Sequence, residues 1–173
     1  RKNNFLDFNK NRKLRENKAY ANSNDFKEFS KDNHIAQNNS SFGTNFDDYL
    51  YGSFGINTYQ FKGGYDVIDY SYLPESISLI RGGTVNKGLY GTDTFLDFYD
   101  KIIATNNPDD WIDGFSNGGF IANLDINLSS NILNINNLPG IGTISSVIEK
   151  FENLSGSNNT DNLIGDLFDN KII

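Results

Sequence analysis

Across its 173 residues the chain has no cysteine and no methionine, one histidine, one tryptophan and three prolines. The missing cysteine excludes disulfide staples, thiolate zinc sites, iron–sulfur clusters and cysteine nucleophiles, without deciding a redox compartment. The single imidazole, His34, lies in a polar segment, reads as a solvated side chain and leaves little for imidazole chemistry. No apolar run approaches the ~18 to 20 residues that a membrane-spanning helix needs, and no signal-type segment opens the chain, so a soluble protein is expected. Because the sequence opens on Arg1, holds no methionine and stops on an apolar run, we expect a piece of a longer polypeptide, with flanking domains among its partners.

Positive charge is also short. The chain carries 15 basic against 22 acidic side chains, net −7, which argues against a duplex nucleic-acid binder working by phosphate neutralisation. The imbalance is uneven: residues 1–40 hold 9 basic and 5 acidic groups, residues 41–173 hold 6 and 17, so the two parts net +4 and −11. Residues 1–40, with Lys2, Lys10, Arg12, Lys13, Arg15 and Lys18 among many Asn, have too few large apolar residues to bury a face. They are expected to form a flexible, polar, basic linker or tail, with at most a short helix over 11–20.

From Ser41 onward, Gly, Asn and Asp punctuate short runs of β-branched and aromatic residues at 65–70, 76–80 and 131–135, the pattern of strands and turns. Residues 121–138 alternate through Ile121, Leu124, Ile126, Leu128, Ile132, Leu133 and Ile135. Over 143–151, Ile144, Val147, Ile148 and Phe151 fall at helical spacing, and a strand ending near Glu149 competes with that helix.

A nine-residue period runs through this second part. Asp48, Asn57 and Asp66 keep the step, as do Leu50, Tyr59 and Ile68, with Gly43, Gly52, Gly55, Gly63 and Gly64 between them. Near the end, Asp161 and Asn170, Leu163 and Ile172, and Gly156 and Gly165 keep it again. Asp110, Ile112 and Gly114, preceded by Asp109, make a further copy, and Gly91-Thr92-Asp93-Thr94-Phe95 matches Gly64-Tyr65-Asp66-Val67-Ile68. The phrase resembles the Gly-Gly-x-Gly-x-Asp-x-apolar-x nonapeptide of the RTX, or hemolysin-type, calcium-binding repeat family. The resemblance covers about 43–72, 91–114 and 151–173.

What the resemblance implies is an all-β domain over 41–173, a parallel β-roll or β-solenoid with irregular β insertions. In such a roll two nonapeptides complete one coil and coils stack at the ~4.8 Å strand spacing. Asp48 would then lie over Asp66, with Asn57 on the opposite edge. Stacked carboxylates repel by ~3 kcal/mol at 5 Å and an effective dielectric of 20. A calcium ion, taking 6–8 oxygens from carboxylates and turn carbonyls, would neutralise them. The ligand candidates are Asp48, Asn57, Asp66, Asp93, Asp109, Asp110, Asp161, Asp166 and Asp169, and folding would be coupled to calcium binding. The copies are degenerate. Asn57 and Asn170 replace Asp, Ala104 or Thr105 stands where Gly is expected, and Tyr70 takes the closing Gly position. Few sites are therefore expected, and a β protein with metal-free turns is the competing reading.

Other chemistry is weaker. Gly114-Phe115-Ser116-Asn117-Gly118 spells a nucleophile elbow, but that order needs a histidine downstream of the serine, and His34 lies upstream. Asp97 with Asp100, or Asp109 with Asp110, could be written as a glycosidase acid and base, although membership of the repeat explains Asp109 and Asp110 more economically. Trp111 and Phe115 could form a sugar-stacking surface, and the glycosylation triplets at Asn38, Asn39, Asn127, Asn153 and Asn158 are expected by chance in so Asn-rich a chain. The expectation is a non-catalytic, calcium-binding module of a secreted or cell-surface protein. An adhesin or carbohydrate-binding module contacting surface glycans, or an accessory domain of a secreted hydrolase or sugar-modifying enzyme, are the alternatives.

Overall fold

In the computed structural model, which describes residues 39–115 and 123–173, successive copies of the repeat alternate between two sheets. Strands β1 (Asn39–Phe42) and β3 (Asn57–Gln60) pair in parallel, with Asn39 opposite Asn57. Strands β2 (Tyr49–Tyr51) and β4 (Val67–Asp69) pair in parallel in the other sheet, with Tyr49 opposite Val67. Partners on one sheet are thus 18 residues apart, two periods of nine, and the bridge between Leu154 and Ile172 keeps the same step. The strands stay short because Gly, Asn and Asp recur every few residues and turn the chain.

The remaining strands are β5 (Ser78–Ile80), β6 (Thr84–Asn86), β7 (Thr92–Phe95), β8 (Lys101–Ile103), β9 (Trp111–Asp113), β10 (Asn123–Asn127), β11 (Ile132–Leu138), β12 (Gly142–Glu149), β13 (Asn153–Ser155) and β14 (Asn162–Ile164). They complete two seven-stranded sheets, ordered β1-β3-β7-β6-β5-β9-β13 and β14-β10-β11-β12-β8-β4-β2. Both sheets are mixed. Each has parallel stacks joined by one antiparallel excursion, β5-β6-β7 in the first and β10-β11-β12 in the second. Among the described residues the only helical element is a 3-10 turn at Gly88–Tyr90, and no helix is long and apolar enough to cross a membrane.

The competition over 143–151 resolves as strand β12. Its inward positions alternate, with Ile144 half-buried and Ser146 and Ile148 buried. Strand β11 pairs antiparallel on one side and β8 parallel on the other, so two ladders override the helical spacing. At the other boundary, Asn39 and Ser40 already pair with Asn57 and Thr58, so strand pairing includes the last two residues of the expected tail. The rest of that tail and the 11–20 helix lie outside the described residues.

The core is built as rows. Leu50, Ile68, Ile102 and Ile148 follow one another across β2, β4, β8 and β12, all at most 1 % exposed. Leu79, Ile112 and Leu154 do the same across β5, β9 and β13. Phe61, Phe95 and Tyr99 meet edge to face at centroid distances of 5.2–5.9 Å. Tyr70, where the repeat expects glycine, is a fully buried core residue. Its ring lies 2.0 Å from where a Cβ on Gly52 would stand, so the glycine one coil below makes room for it.

Burying one such aliphatic side chain contributes about 1.5–3 kcal/mol, and truncating it also leaves a cavity. Ile102→Ala, in the middle of the four-residue row, is expected to lose about 2–5 kcal/mol in guanidinium unfolding, while Leu167→Ala, fully exposed, stays within about 0.5 kcal/mol. Equal losses would contradict the row.

Candidate functional site

At several corners between strands a buried or half-buried carboxylate accepts a backbone N–H from the neighbouring coil. On the β2-β4-β8 edge, the Asp48 N–H donates to Asp66 Oδ1 at 3.0 Å and the Asp66 N–H donates to Asp100 Oδ2 at 2.7 Å. Asp97 extends this edge by accepting the Phe61 and Lys62 N–H groups at 2.6 and 2.9 Å. On the β5-β9-β13 edge, the Ile77 N–H donates to Asp110 Oδ1 at 2.6 Å and the Asp110 N–H to Glu152 Oε2 at 2.9 Å. On the β10-β14 edge, the Leu124 N–H donates to Asp161 Oδ1 at 2.8 Å.

Several of these acids are also closed by a hydroxyl from their own turn. Thr44 Oγ1 donates to Asp48 Oδ2 at 3.0 Å, Thr105 Oγ1 to Asp110 Oδ2 at 2.7 Å and Ser157 Oγ to Asp161 Oδ1 at 2.9 Å. The backbone N–H of the same Thr or Ser donates as well, at 2.5, 3.0 and 2.6 Å. The Thr105 that displaces an expected glycine is therefore the group that closes its own turn.

The remaining candidates divide. Asn57 and Asp93 meet on the β3-β7 edge, where Asn57 Nδ2 donates to Asp93 Oδ1 at 2.7 Å. Asp166 accepts from Asn170 Nδ2 at 3.0 Å and from the Phe168 N–H at 2.9 Å. Asp109 is exposed and accepts from the Trp111 indole, from Asn153 Nδ2 and from Lys171. That ties the tryptophan to an edge acid. Asp169 is exposed at the rim of a cleft it shares with Glu152 and Asp166. Ser116 and His34 lie outside the described residues.

Asp100 and Glu152 are edge acids the period does not point to. Both obey the acid-x-apolar phrase, as Asp100-Lys101-Ile102 and Glu152-Asn153-Leu154, but insertions lengthen the step to 34 residues after Asp66 and 42 after Asp110. Among the described residues the ion pairs are Lys87 with Asp93, Lys101 with Glu149 and Lys171 with Asp109, and none reaches Asp66, Asp100, Asp110 or Glu152. Also among the described residues, no three acidic or histidine side chains converge on one point. An ion at these edges would need turn carbonyls as well as carboxylates.

The electrostatics follow. Burial pushes Asp66 up to about 6, opposed by the Asp48 N–H and reinforced by the charges of Asp48, Asp100 and Asp97. Burial pushes Asp110 up to about 6 against its Thr105 and Ile77 donors. Burial carries Glu152 to about 7, with Asp110 and Asp166 adding to the effect.

No protein-family model matches this chain, and no curated protein matches it.

A pH dependence results. With these three carboxyls raised, the folded chain holds protons that the unfolded chain has already released, so stability falls as pH rises through about 6 to 7. In chelator the melting temperature should drop steadily between about pH 5 and 8. A rise over that range would contradict the raised carboxyls.

Proposed function

We propose that this chain is a non-catalytic structural module, a β-roll of RTX type whose acid edges take calcium, in a secreted or cell-surface protein. The observation that carries the reading is the ladder from Asp48 through Asp66 to Asp100, which sets carboxylates one above another at the coil step. Supporting it are the 18-residue parallel register and the alternation of successive copies between two sheets. Asp48, Asp66 and Asp100, with Asp97 beside them, would supply carboxylate oxygens, and the glycine-containing turns would supply carbonyls. A hard cation with 6–8 oxygen ligands and irregular geometry suits that mixture, and calcium tolerates it where magnesium does not. The ion would offset the burial and, after it, the repulsion from Asp48, Asp100 and Asp97 that raise Asp66, and would tie neighbouring coils together.

A second reading has its own support. The hydroxyl and backbone donors of Thr44, Thr105 and Ser157 give three edge acids at least two hydrogen bonds each from their own turn without metal, so the coils could stand as a metal-free scaffold.

Calorimetric titration of the chelated protein, with melting curves alongside, separates the two. Calcium at 100 times its dissociation constant should stabilise by ~2.7 kcal/mol, with magnesium far weaker. Asp66→Ala and Asp100→Ala should each abolish most of the response. Asp125→Ala, at a mid-strand acid that accepts from Asn134 and Asn162, should keep it. No uptake at about 10 mM calcium, well above the weakest extracellular sites, together with unchanged melting, would leave the metal-free scaffold.

A further inference from the structure

Among the described residues, Lys87 is the one basic side chain with no exposed surface. It follows β6 and opens the 3-10 turn Gly88–Tyr90 that leads into β7. Its Nζ donates to the carbonyl of Ser53, to the carbonyl of Gly55 at 2.9 Å and to Asp93 Oδ1. Ser53 and Gly55 belong to the turn of one repeat copy, ahead of Asn57. Asp93 stands in the acid position of the copy stacked on it, since Asn57 pairs with Asp93 across β3 and β7.

Two turn carbonyls from one coil and a carboxylate from the next form the kind of oxygen set a hard cation takes. The surroundings are built to hold it. Asp93 Oδ1 also accepts from Asn57 Nδ2, and its Oδ2 accepts from the Tyr70 hydroxyl at 2.8 Å. Asn57 Oδ1 is buried with no hydrogen-bond partner among the described residues. The 3-10 turn is fastened over this corner by the Gly55 N–H donating to the Tyr90 carbonyl at 2.8 Å and by the Phe54 and Tyr90 rings, 4.2 Å apart. Gly91 is required there: at φ 90° it brings its backbone so close that a Cβ would stand 2.5 Å from the Gly55 oxygen.

We infer that this corner is a cation site filled by the protein's own ammonium group, Lys87 acting as a tethered replacement for a metal ion on the Asn57–Asp93 edge. The charge count fits. Asn at position 57 leaves Asp93 as the one carboxylate in this set, and a single positive charge balances it, whereas the Asp48–Asp66–Asp100 edge stacks three acids. Burial lowers the Lys87 ammonium and raises Asp93, each partly restored by the other's charge. The antiparallel excursion β5-β6-β7 thereby delivers the cation that this edge would otherwise take from solution. The contrast with a calcium-filled edge rests on the proposed function, whereas the occupancy by Lys87 does not.

The test uses the whole chain, first in chelator and then with calcium chloride or methylammonium chloride. Lys87→Ala should lower the melting temperature by on the order of 10 °C in chelator, and either cation should restore part of the loss. The comparison is repeated in the Asp66→Ala background, where the calcium response of the other edge is lost: either cation should still restore part of the melting temperature that Lys87→Ala/Asp66→Ala loses relative to Asp66→Ala alone, because the two edges are separate. Recovery in Lys87→Ala when the wild type takes no calcium would sink the proposed function and leave this inference standing. A folded Lys87→Ala that melts like the wild type, or that neither cation rescues, would overturn the inference whatever the wild type does. Should Lys87→Ala fail to fold, Lys87→Met/Asp93→Asn decides. With both charges gone it should melt well above Lys87→Met alone, and no gain would reduce Lys87 to a space-filling side chain.

Discussion

A carboxylate shut away from water at the corner where a turn becomes a strand is the feature on which the rest of this structure depends. Three-residue strands offer few ladder hydrogen bonds, so the join between coils is completed by an acid that accepts an N–H from the neighbouring coil, as Asp66 does from Asp48 and Asp110 from Ile77. That hydrogen bond fastens the coils and buries negative charge at the same time, and buried charge is costly unless it is matched. The chain answers in several ways along its length. Hydroxyls of Thr44, Thr105 and Ser157 add donors, Asn57 and Asn170 remove the charge, and Lys87 supplies an opposite one. Burial still leaves Asp66, Asp110 and Glu152 raised.

The same acids fix which residues face inward. Two positions after each comes an apolar side chain, Leu50 after Asp48, Ile68 after Asp66, Ile102 after Asp100 and Ile112 after Asp110, each buried in the narrow space between the sheets. Sliding any strand by one residue would turn its whole apolar set outward and separate the edge acid from its N–H donor. Packing and edge chemistry therefore select one register together. Tyr70 couples them directly, its ring packed over Gly52 and its hydroxyl on Asp93.

What could be read from the sequence was the part governed by local period. Asp48, Asn57 and Asp66 with Leu50, Tyr59 and Ile68 announce short strands alternating between two faces, and the strands follow that phase. Long insertions concealed the rest. Asp100 and Glu152 carry the right phrase at the wrong distance, and the excursions that make both sheets mixed have no counterpart in the nonapeptide. Over 143–151 the side chains satisfy helical spacing, and the strand results from partners at 101–103 and 132–138 that no local window contains. Lys87, between Asn86 and Gly88, stands outside every copy of the repeat. Only the path of the chain brings it to a carbonyl 32 residues earlier.

The two antiparallel excursions also divide the molecule in time. Leu79 meets Val85 six residues away, whereas Ile68 must find Ile102 across 34, and closing a short loop costs less entropy than closing a long one. Local pairings of this kind form fastest. Each excursion ends in strands that belong to different parallel stacks, β7 beside β3 and β5 beside β9 in one sheet, β12 beside β8 and β10 beside β14 in the other. A hairpin zipped early thus offers a template on both flanks. Coils can be laid down from the middle of the chain toward both ends, instead of being wound from one terminus to the other.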